Sequence, residues 1–257
     1  MASTDVLKEE YNEQSFNYDD AITSVPLGRL ETQLLATALG DCTNFTVLDL
    51  GGGSGLRARQ VLDLGATSVD VVDFSPEMQR AGQSQSNKHD KGDLITWHEA
   101  DVSKPLDHLP LSHKKGSYDL VMANWVMDHA ASIEALEGMW ANVAAYLRPG
   151  SGRFVGTRCG DPGVPAARDR KYGVWFKDQE PIPGGVRYRY ETGAIDIEAA
   201  SMEVSYSGST VMHDKFGLTD VETVPYKSAE TVREDPEFWD LFLKGPFMAV
   251  VKARKRG

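Results

Sequence analysis

A chain of 257 residues with 41% hydrophobic and 25% charged residues has the length and composition of an enzyme-sized globular protein. Its formal charge of −11 argues against a broad phosphate-binding surface, and two cysteines, Cys42 and Cys159, are too few for a disulfide framework and suit a reducing compartment. Met1 to Asn17 is polar and charged with no apolar leader, and no run of 18 apolar residues occurs, so a cytoplasmic chain without a membrane span is expected.

In chain order, Tyr11 to Asp20 mixes aromatics with amides and acids and is too polar to form a core element. Tyr11 and Tyr18 stand two helical turns apart, so both can face one way. Leu27, Leu30, Leu34, Leu35 and Leu39 recur at helical intervals up to Gly40, which predicts a helix with a leucine face packed on a sheet. Thr46 to Leu50 is a short apolar run with Asp49 embedded, suited to a buried parallel strand. It breaks into Gly51, Gly52, Gly53, Ser54 and Gly55 before a helical pattern from Leu56. Glycines there let the backbone turn tightly and approach a ligand. Counted from Gly51, the third small position of a dinucleotide loop falls on Leu56, so the spacing is G-x-G-x-G rather than G-x-G-x-x-G.

Val69 to Phe74 predicts a second strand ending at Asp73, 22 positions after Gly51, where a carboxylate at a strand tip can accept from two ribose hydroxyls. Ser75 as N-cap, Pro76 in the first turn and Glu77 at the positive end of the dipole open the next helix, which carries Met78. Leu94 to Val102 reads as a third strand running into Asp101, and Tyr118 to Trp125 as a fourth. A helix over 132–147 follows, then a turn from Leu147 to Phe154 that leads into a fifth strand. This alternation predicts a parallel sheet covered on both faces. Residues 159–192 are rich in Gly, Pro and aromatics and predict a loop-and-short-strand insertion, in which 186–191 and 202–206 alternate as strands that could pair antiparallel. Beyond about residue 208 the pattern predicts a helix near 208–216, a strand through 221–224, a helix over 229–243 and a last strand over 247–251, with Lys252 to Arg256 as a solvated basic tail.

The acid and G-x-G-x-G loop, the strand-end acids Asp73 and Asp101, the fourth strand and the Leu147 to Phe154 turn occur in order over about 110 residues. Together they resemble the class I S-adenosylmethionine-dependent methyltransferases, in the small-molecule, type 11/25-like branch. The resemblance implies an α/β fold, a doubly wound and mostly parallel seven-stranded sheet with a cap insertion after the fifth strand. It implies one domain: a lid and helix over 1–45, a cofactor-binding core over 46–158, a substrate cap over 159–207 and the end of the core sheet over 208–257. It implies S-adenosyl-L-methionine as cofactor and S-adenosyl-L-homocysteine as product, held by Asp49, Gly51, Gly52, Gly53 and Gly55. Asp73 would hold the ribose beside Phe74 and Met78, Asp101 the adenine amino group, and the amide of Val102 a ring nitrogen. Asn124 and Trp125 would stand at the methyl end, with Tyr11 and Tyr18 folding over it. Arg29 offers a guanidinium for the methionine carboxylate.

The implied reaction is an in-line transfer of a methyl group to an O, N or S atom of a small metabolite. Alignment of the nucleophile supplies several kcal/mol of the barrier, and a base is needed only where a proton must leave early. His129 is either that base or a packing residue at a helix start, and Tyr18 is the tyrosine expected to point its hydroxyl at the methyl, with Tyr11 behind it. Seven basic against four acidic residues between Gly156 and Tyr190 point to an aromatic or anionic acceptor, unless the arginines simply face solvent. Arg158, Tyr172, Trp175, Arg187 and Tyr188 are the candidate acceptor contacts. Ala123 to Val126 lacks the Asn/Asp-Pro-Pro-aromatic signature of nucleic-acid amino methylation, and no Pro-Cys pair supplies a nucleophile for cytosine. No Cys or His cluster has metal-ligand spacing, so no metal is expected. The partner expected is thus a small-molecule acceptor, with no nucleic acid and no membrane. Two other classes remain: a protein of this fold that only binds the cofactor or catalyses a different step, and a nicotinamide-dependent oxidoreductase, disfavoured by Leu56 and by the absence of a Tyr-x-x-x-Lys pair. The sequence sets neither the acceptor atom nor the oligomeric state.

Overall fold

Apolar residues alternate between two covered faces along the central strands, and this alternation builds the molecule. The computed structural model describes residues 4–257. Helices α1 (Thr4–Gln14), α2 (Tyr18–Thr23) and α3 (Pro26–Leu39) precede strand β1 (Thr46–Leu50). There follow α4 (Leu56–Asp63), β2 (Ser68–Asp73), α5 (Pro76–Lys88), β3 (Ile95–Glu99), β4 (Leu120–Met122), α6 (Ile133–Tyr146) and β5 (Arg153–Cys159). The insertion consists of β6 (Trp175–Ile182), β7 (Gly185–Glu191) and β8 (Asp196–Met202). The chain then returns through α7 (Glu203–Tyr206), α8 (Val211–Lys215), β9 (Leu218–Thr223), α9 (Glu230–Glu234), α10 (Asp240–Lys244) and β10 (Met248–Lys255).

Seven strands form one sheet in the order β3-β2-β1-β4-β5-β10-β9. The first five pair in parallel, and β10 runs antiparallel between β5 and β9. Val47, Val69 and Val71 face a core with Leu30, Leu34 and Leu35 of α3, whereas Leu48, Leu50 and Val72 face another with Leu136, Trp140 and Val143 of α6. The order of strands reverses between β1 and β4, which opens a crevice beyond their carboxyl ends. Strands β6, β7 and β8 form a separate antiparallel sheet. Among the described residues no helix is long and apolar enough to cross a membrane.

Several expectations are corrected. The polar N-terminal segment forms α1 and α2, and its side chains bond to the neighbouring elements, whereas the single helix that would set Tyr11 and Tyr18 two turns apart is interrupted at Ser15–Asn17. The fourth strand is only three residues long, and Trp125 beyond it turns left-handed at φ +61°. Strand β7 pairs with 196–202, not with 202–206, and Glu203–Tyr206 is a helical turn. Strand β6 is an element that the Gly and Pro content concealed. The helix expected over 229–243 is split around Pro236, which disfavours helical geometry at the preceding residue. The basic tail is not a free terminus. Its residues continue β10 in the body of the sheet, where Lys252 pairs with Glu222 at 2.8 Å and Lys255 Nζ donates to the Phe216 carbonyl at 3.0 Å.

Candidate active site

The β1–α4 turn is built by glycines in left-handed conformations. Gly53 sits at φ +53°, and a Cβ added there would meet only the Met78 methyl at 3.0 Å and Asp73 Oδ2 at 3.9 Å. Gly55 forms the N-cap of α4 at φ +68°, where a Cβ would strike the Trp97 ring at 2.6 Å. Gly55 is therefore a packing position and does not line the cleft. The Gly53 amide donates to Asp73 Oδ2 at 2.8 Å, and the Ser75 amide to Oδ1 at 2.8 Å. Burial pushes the Asp73 carboxyl up to about 6, against the pull of these backbone donors. Ser75 caps α5 as expected, accepting from the Met78 amide at 3.1 Å.

Asp49 lies under the loop, 1% exposed, and its Oδ2 is buried without a hydrogen-bond partner. Burial and then the neighbouring Asp73 push its pKa up to about 7, with Arg57 opposing. Beside it Glu31 of α3 and Arg57 of α4 form a buried ion pair at 2.8 Å, and Trp125 Nε1 donates to Glu31 Oε1 at 3.0 Å. Arg29 is exposed on the outer side of α3 and does not reach the crevice. The arginine that faces it is Arg57. Both missed residues carried a signal: Glu31 is an acid inside the leucine stripe, and Arg57 falls in the first turn after the glycine loop.

A cleft of about 610 Å³ opens at this point. Tyr11, Tyr18, Asp49, Gly51, Gly52, Gly53, Asp73, Phe74, Met78, Asp101, Val102, Asn124, Trp125 and His129 all line it, together with Glu31 and Arg57. Asp101 Oδ1 accepts from the Ser103 amide at 2.8 Å, and Asn124 Oδ1 from the Thr157 amide at 3.2 Å. The roof is α1 and α2. The Tyr11 hydroxyl and His129 Nε2 lie 2.8 Å apart, and the Tyr18 ring centroid is 6.1 Å from that of Tyr11. Tyr11, rather than Tyr18, makes the contact with His129. Burial holds the imidazole down to about 4, opposed by a hydrogen bond to the Glu198 backbone, and pushes the Tyr11 phenol well above its usual value. The roof is tied to the rim by polar contacts. Asp19 accepts from Ser54 Oγ and pairs with Arg59, Asn12 Oδ1 accepts from Ser75 Oγ at 2.8 Å, and Arg189 of β7 pairs with Glu10 at 3.0 Å.

The candidate acceptor contacts are placed elsewhere, apart from Tyr188. The Tyr172 ring stacks on Trp239 in the core, and its hydroxyl accepts from the Phe242 amide at 2.9 Å. The Arg170 guanidinium covers the Trp175 ring at 4.3 Å. Arg187 pairs with Glu180 at 3.5 Å and Glu198 at 3.7 Å. Arg158 donates to the carbonyls of Cys159 and Tyr206 and borders a separate small cavity with His213. Tyr188 lines a recess beside the cleft, its hydroxyl 2.9 Å from Ser201 Oγ. The cap residues that do line the cleft are Glu198, Ala199 and Ala200 of β8, which carried no distinctive sequence signal.

A family described as a methyltransferase domain matches residues 47–150. A search of curated proteins returned no match. Among solved structures, an S-adenosylmethionine-dependent methyltransferase from Mesorhizobium loti is 20% identical with a TM-score of 0.59, over 88% of this chain and 98% of its own. The 1,6-didemethyltoxoflavin N1-methyltransferase of Burkholderia thailandensis, solved with 1,6-didemethyltoxoflavin and S-adenosylhomocysteine, is 18% identical with a TM-score of 0.60, over 100% of this chain and 92% of its own. A methyltransferase complexed with the Haloferax volcanii Trm112 activator is 16% identical with a TM-score of 0.63, over 98% of each chain. At these identities the structural likeness speaks for the fold. Residues 47–150 match a methyltransferase domain, and the seven-stranded sheet that carries them has the fold of the class I S-adenosylmethionine-dependent methyltransferases.

Proposed function

We propose that the protein transfers the methyl group of S-adenosylmethionine to an oxygen, nitrogen or sulfur atom of a small-molecule acceptor in this cleft. The observation that carries the reading is the unpartnered Oδ2 of Asp49, buried under a glycine turn whose Gly53 amide already fixes Asp73. A buried acceptor without a partner costs stability until a donor arrives, and the cofactor's ammonium is such a donor. Arg57 suits the methionine carboxylate in place of Arg29. Asp73 keeps lone pairs for the ribose hydroxyls, and Asp101 and Val102 suit the adenine edge. When bound, the cofactor supplies an electrophilic methyl on a sulfonium. The chain's own task is to orient both partners and exclude water, with α1 and α2 as the lid and β6 to β8 as the cap of a single domain. The Burkholderia neighbour, an N1-methyltransferase solved with 1,6-didemethyltoxoflavin bound, supports a small-molecule acceptor here as well.

Calorimetric titration with S-adenosylmethionine, S-adenosylhomocysteine and a nicotinamide dinucleotide tests the cofactor. The first two are expected to bind and the third not to. Incubation with methyl-labelled cofactor and a metabolite extract then tests transfer. Binding of the cofactor without label in any product would leave a binding protein of this fold.

A further inference from the structure

The recess beside the cleft is walled by aromatic rings, and among the described residues no cationic side chain lines it. It shares Tyr11, Tyr18, Ile22, Trp125, His129 and Ala199 with the cleft and adds Asp128, Tyr188, Tyr190 and Ile197. The Trp125 and Tyr190 rings meet edge to face at 6.0 Å. Its own volume is about 40 Å³, enough for a substituent, so an acceptor ring would lie along the shared wall. Asp128 has both oxygens engaged, accepting from Ser201 Oγ at 2.7 Å and from the Cys159 amide at 2.8 Å.

Charge narrows the acceptor further. The cleft is lined by Glu31, Asp49, Asp73, Asp101 and Glu198, against the cations Arg57 and Lys104. Arg57 is paired with Glu31, and Lys104 is exposed at the rim. In the cap, Arg187 and Arg189 are held in ion pairs and Arg158 binds carbonyls. An anionic acceptor would meet these carboxylates, and Lys104, the one cation lining the cleft without an ion pair among the described residues, stands at the exposed rim and does not line the recess. A neutral amine needs no base before it attacks, whereas a neutral phenol is a weak nucleophile until its proton leaves. The hydroxyl and imidazole 2.8 Å apart at the mouth of the recess are a route for that proton.

We infer that the acceptor is an uncharged phenol, its ring held against Tyr18, Trp125, Tyr188 and Tyr190 and its hydroxyl bonded to Tyr11. This rests on the methyl-transfer reading above. As the phenol oxygen bonds to the methyl carbon, the carbon–sulfur bond breaks and its electron pair stays on sulfur. The phenol proton passes to Tyr11 Oη while the Tyr11 proton passes to His129 Nε2. The positive charge of the sulfonium ends on the imidazole. Burial keeps the His129 imidazole neutral near neutral pH, which leaves Nε2 a lone pair for that proton; the same burial disfavours the imidazolium that forms, and the hydrogen bond to the Glu198 backbone offsets part of that cost.

The test is equilibrium binding to the enzyme loaded with S-adenosylhomocysteine, using 4-methylphenol, 4-methylbenzoate, 4-methylbenzylamine and 4-methylcyclohexanol. The phenol is expected to bind at least tenfold more tightly than the other three. Tyr190→Leu should weaken the phenol at least fivefold and leave homocysteine-product binding within twofold. With 4-methylphenol as acceptor, Tyr11→Phe and His129→Gln should each lower kcat at least tenfold with KM within threefold. Benzoate or benzylamine binding as tightly as the phenol, cyclohexanol matching it, or none of the four binding would overturn the inference. Failure of S-adenosylhomocysteine itself to bind would instead sink the methyl-transfer reading.

Discussion

The Gly53 amide donates to Asp73 Oδ2 across 2.8 Å, so the glycine turn after β1 and the acidic tip of β2 form one unit. Asp73→Asn keeps an acceptor for that amide but removes the charge that suits two hydroxyl donors. It is expected to weaken S-adenosylmethionine and S-adenosylhomocysteine equally, by about 1.5–3 kcal/mol. Titration calorimetry with both ligands checks this, and a variant that distinguishes them would place Asp73 away from the ribose.

Gly53→Val tests the turn itself. A β-branched residue at φ +53° costs about 1–2 kcal/mol of fold stability, and its branches would meet the Met78 methyl and enter the cleft. Cofactor binding is expected to vanish while the melt stays cooperative. Unaltered affinity in a folded variant would make the loop a structural turn only.

Glu31 and Arg57 invite a double-mutant cycle. Arg57→Gln leaves a buried carboxylate uncompensated and is expected to cost about 3–5 kcal/mol of stability. Adding Glu31→Gln should restore much of that loss in a denaturant melt without restoring cofactor affinity. Recovery of affinity in the double variant would show that Arg57 serves the fold and not the methionine carboxylate.

Asp49 makes cofactor binding depend on pH. Its carboxyl, pushed up to about 7 chiefly by burial, must ionise to pair with an ammonium. Affinity for S-adenosylmethionine should therefore fall as pH drops from 8 to 5, by up to about tenfold per unit below 7, with Asp73 adding to the slope below about 6. Stability of the free protein has the opposite sign. A raised folded-state pKa contributes stability that is present at low pH and lost as pH rises through about 7. Asp49→Asn should flatten the affinity profile and gain stability over the wild type as pH rises from 5 to 8. A parallel profile in the variant would exclude Asp49 as the titrating group.

The roof is expected to close over the cofactor. Asp19, Asn12 and Glu10 tie α1 and α2 to the glycine loop, α5 and the cap, and the apolar contacts centre on the small cluster of Ile22, Ile195 and Ile197. Hydrogen exchange over residues 4–23 should slow when S-adenosylhomocysteine is added. Deletion of residues 1–20 should reduce turnover at least tenfold while the rest of the chain still melts cooperatively. Exchange that is slow and indifferent to ligand would make the segment a fixed strut.

The central strands, the glycine turn and the acids at 49, 73 and 101 were legible in the sequence because their signals are local. Period-two burial, helix capping by Ser75 and positive φ at Gly53 each depend on a few neighbouring residues. What needed tertiary structure was set by partners far away in the chain. Lys252 to Lys255 form part of a paired strand rather than a free tail because β10 inserts between β5 and β9, and a solvated tail and a strand with charged residues on its open face read alike in isolation. The cap arginines look free for an anionic ligand until pairing of β6, β7 and β8 sets Arg187 beside Glu180 and Glu198, and α1 brings Glu10 to Arg189. Likewise, two tyrosines seven residues apart are equivalent in a helical projection. The turn at Ser15–Asn17 breaks that equivalence and leaves Tyr11 facing His129, 118 positions away, because the direction of a side chain is fixed by the packing of whole elements and not by spacing along one of them.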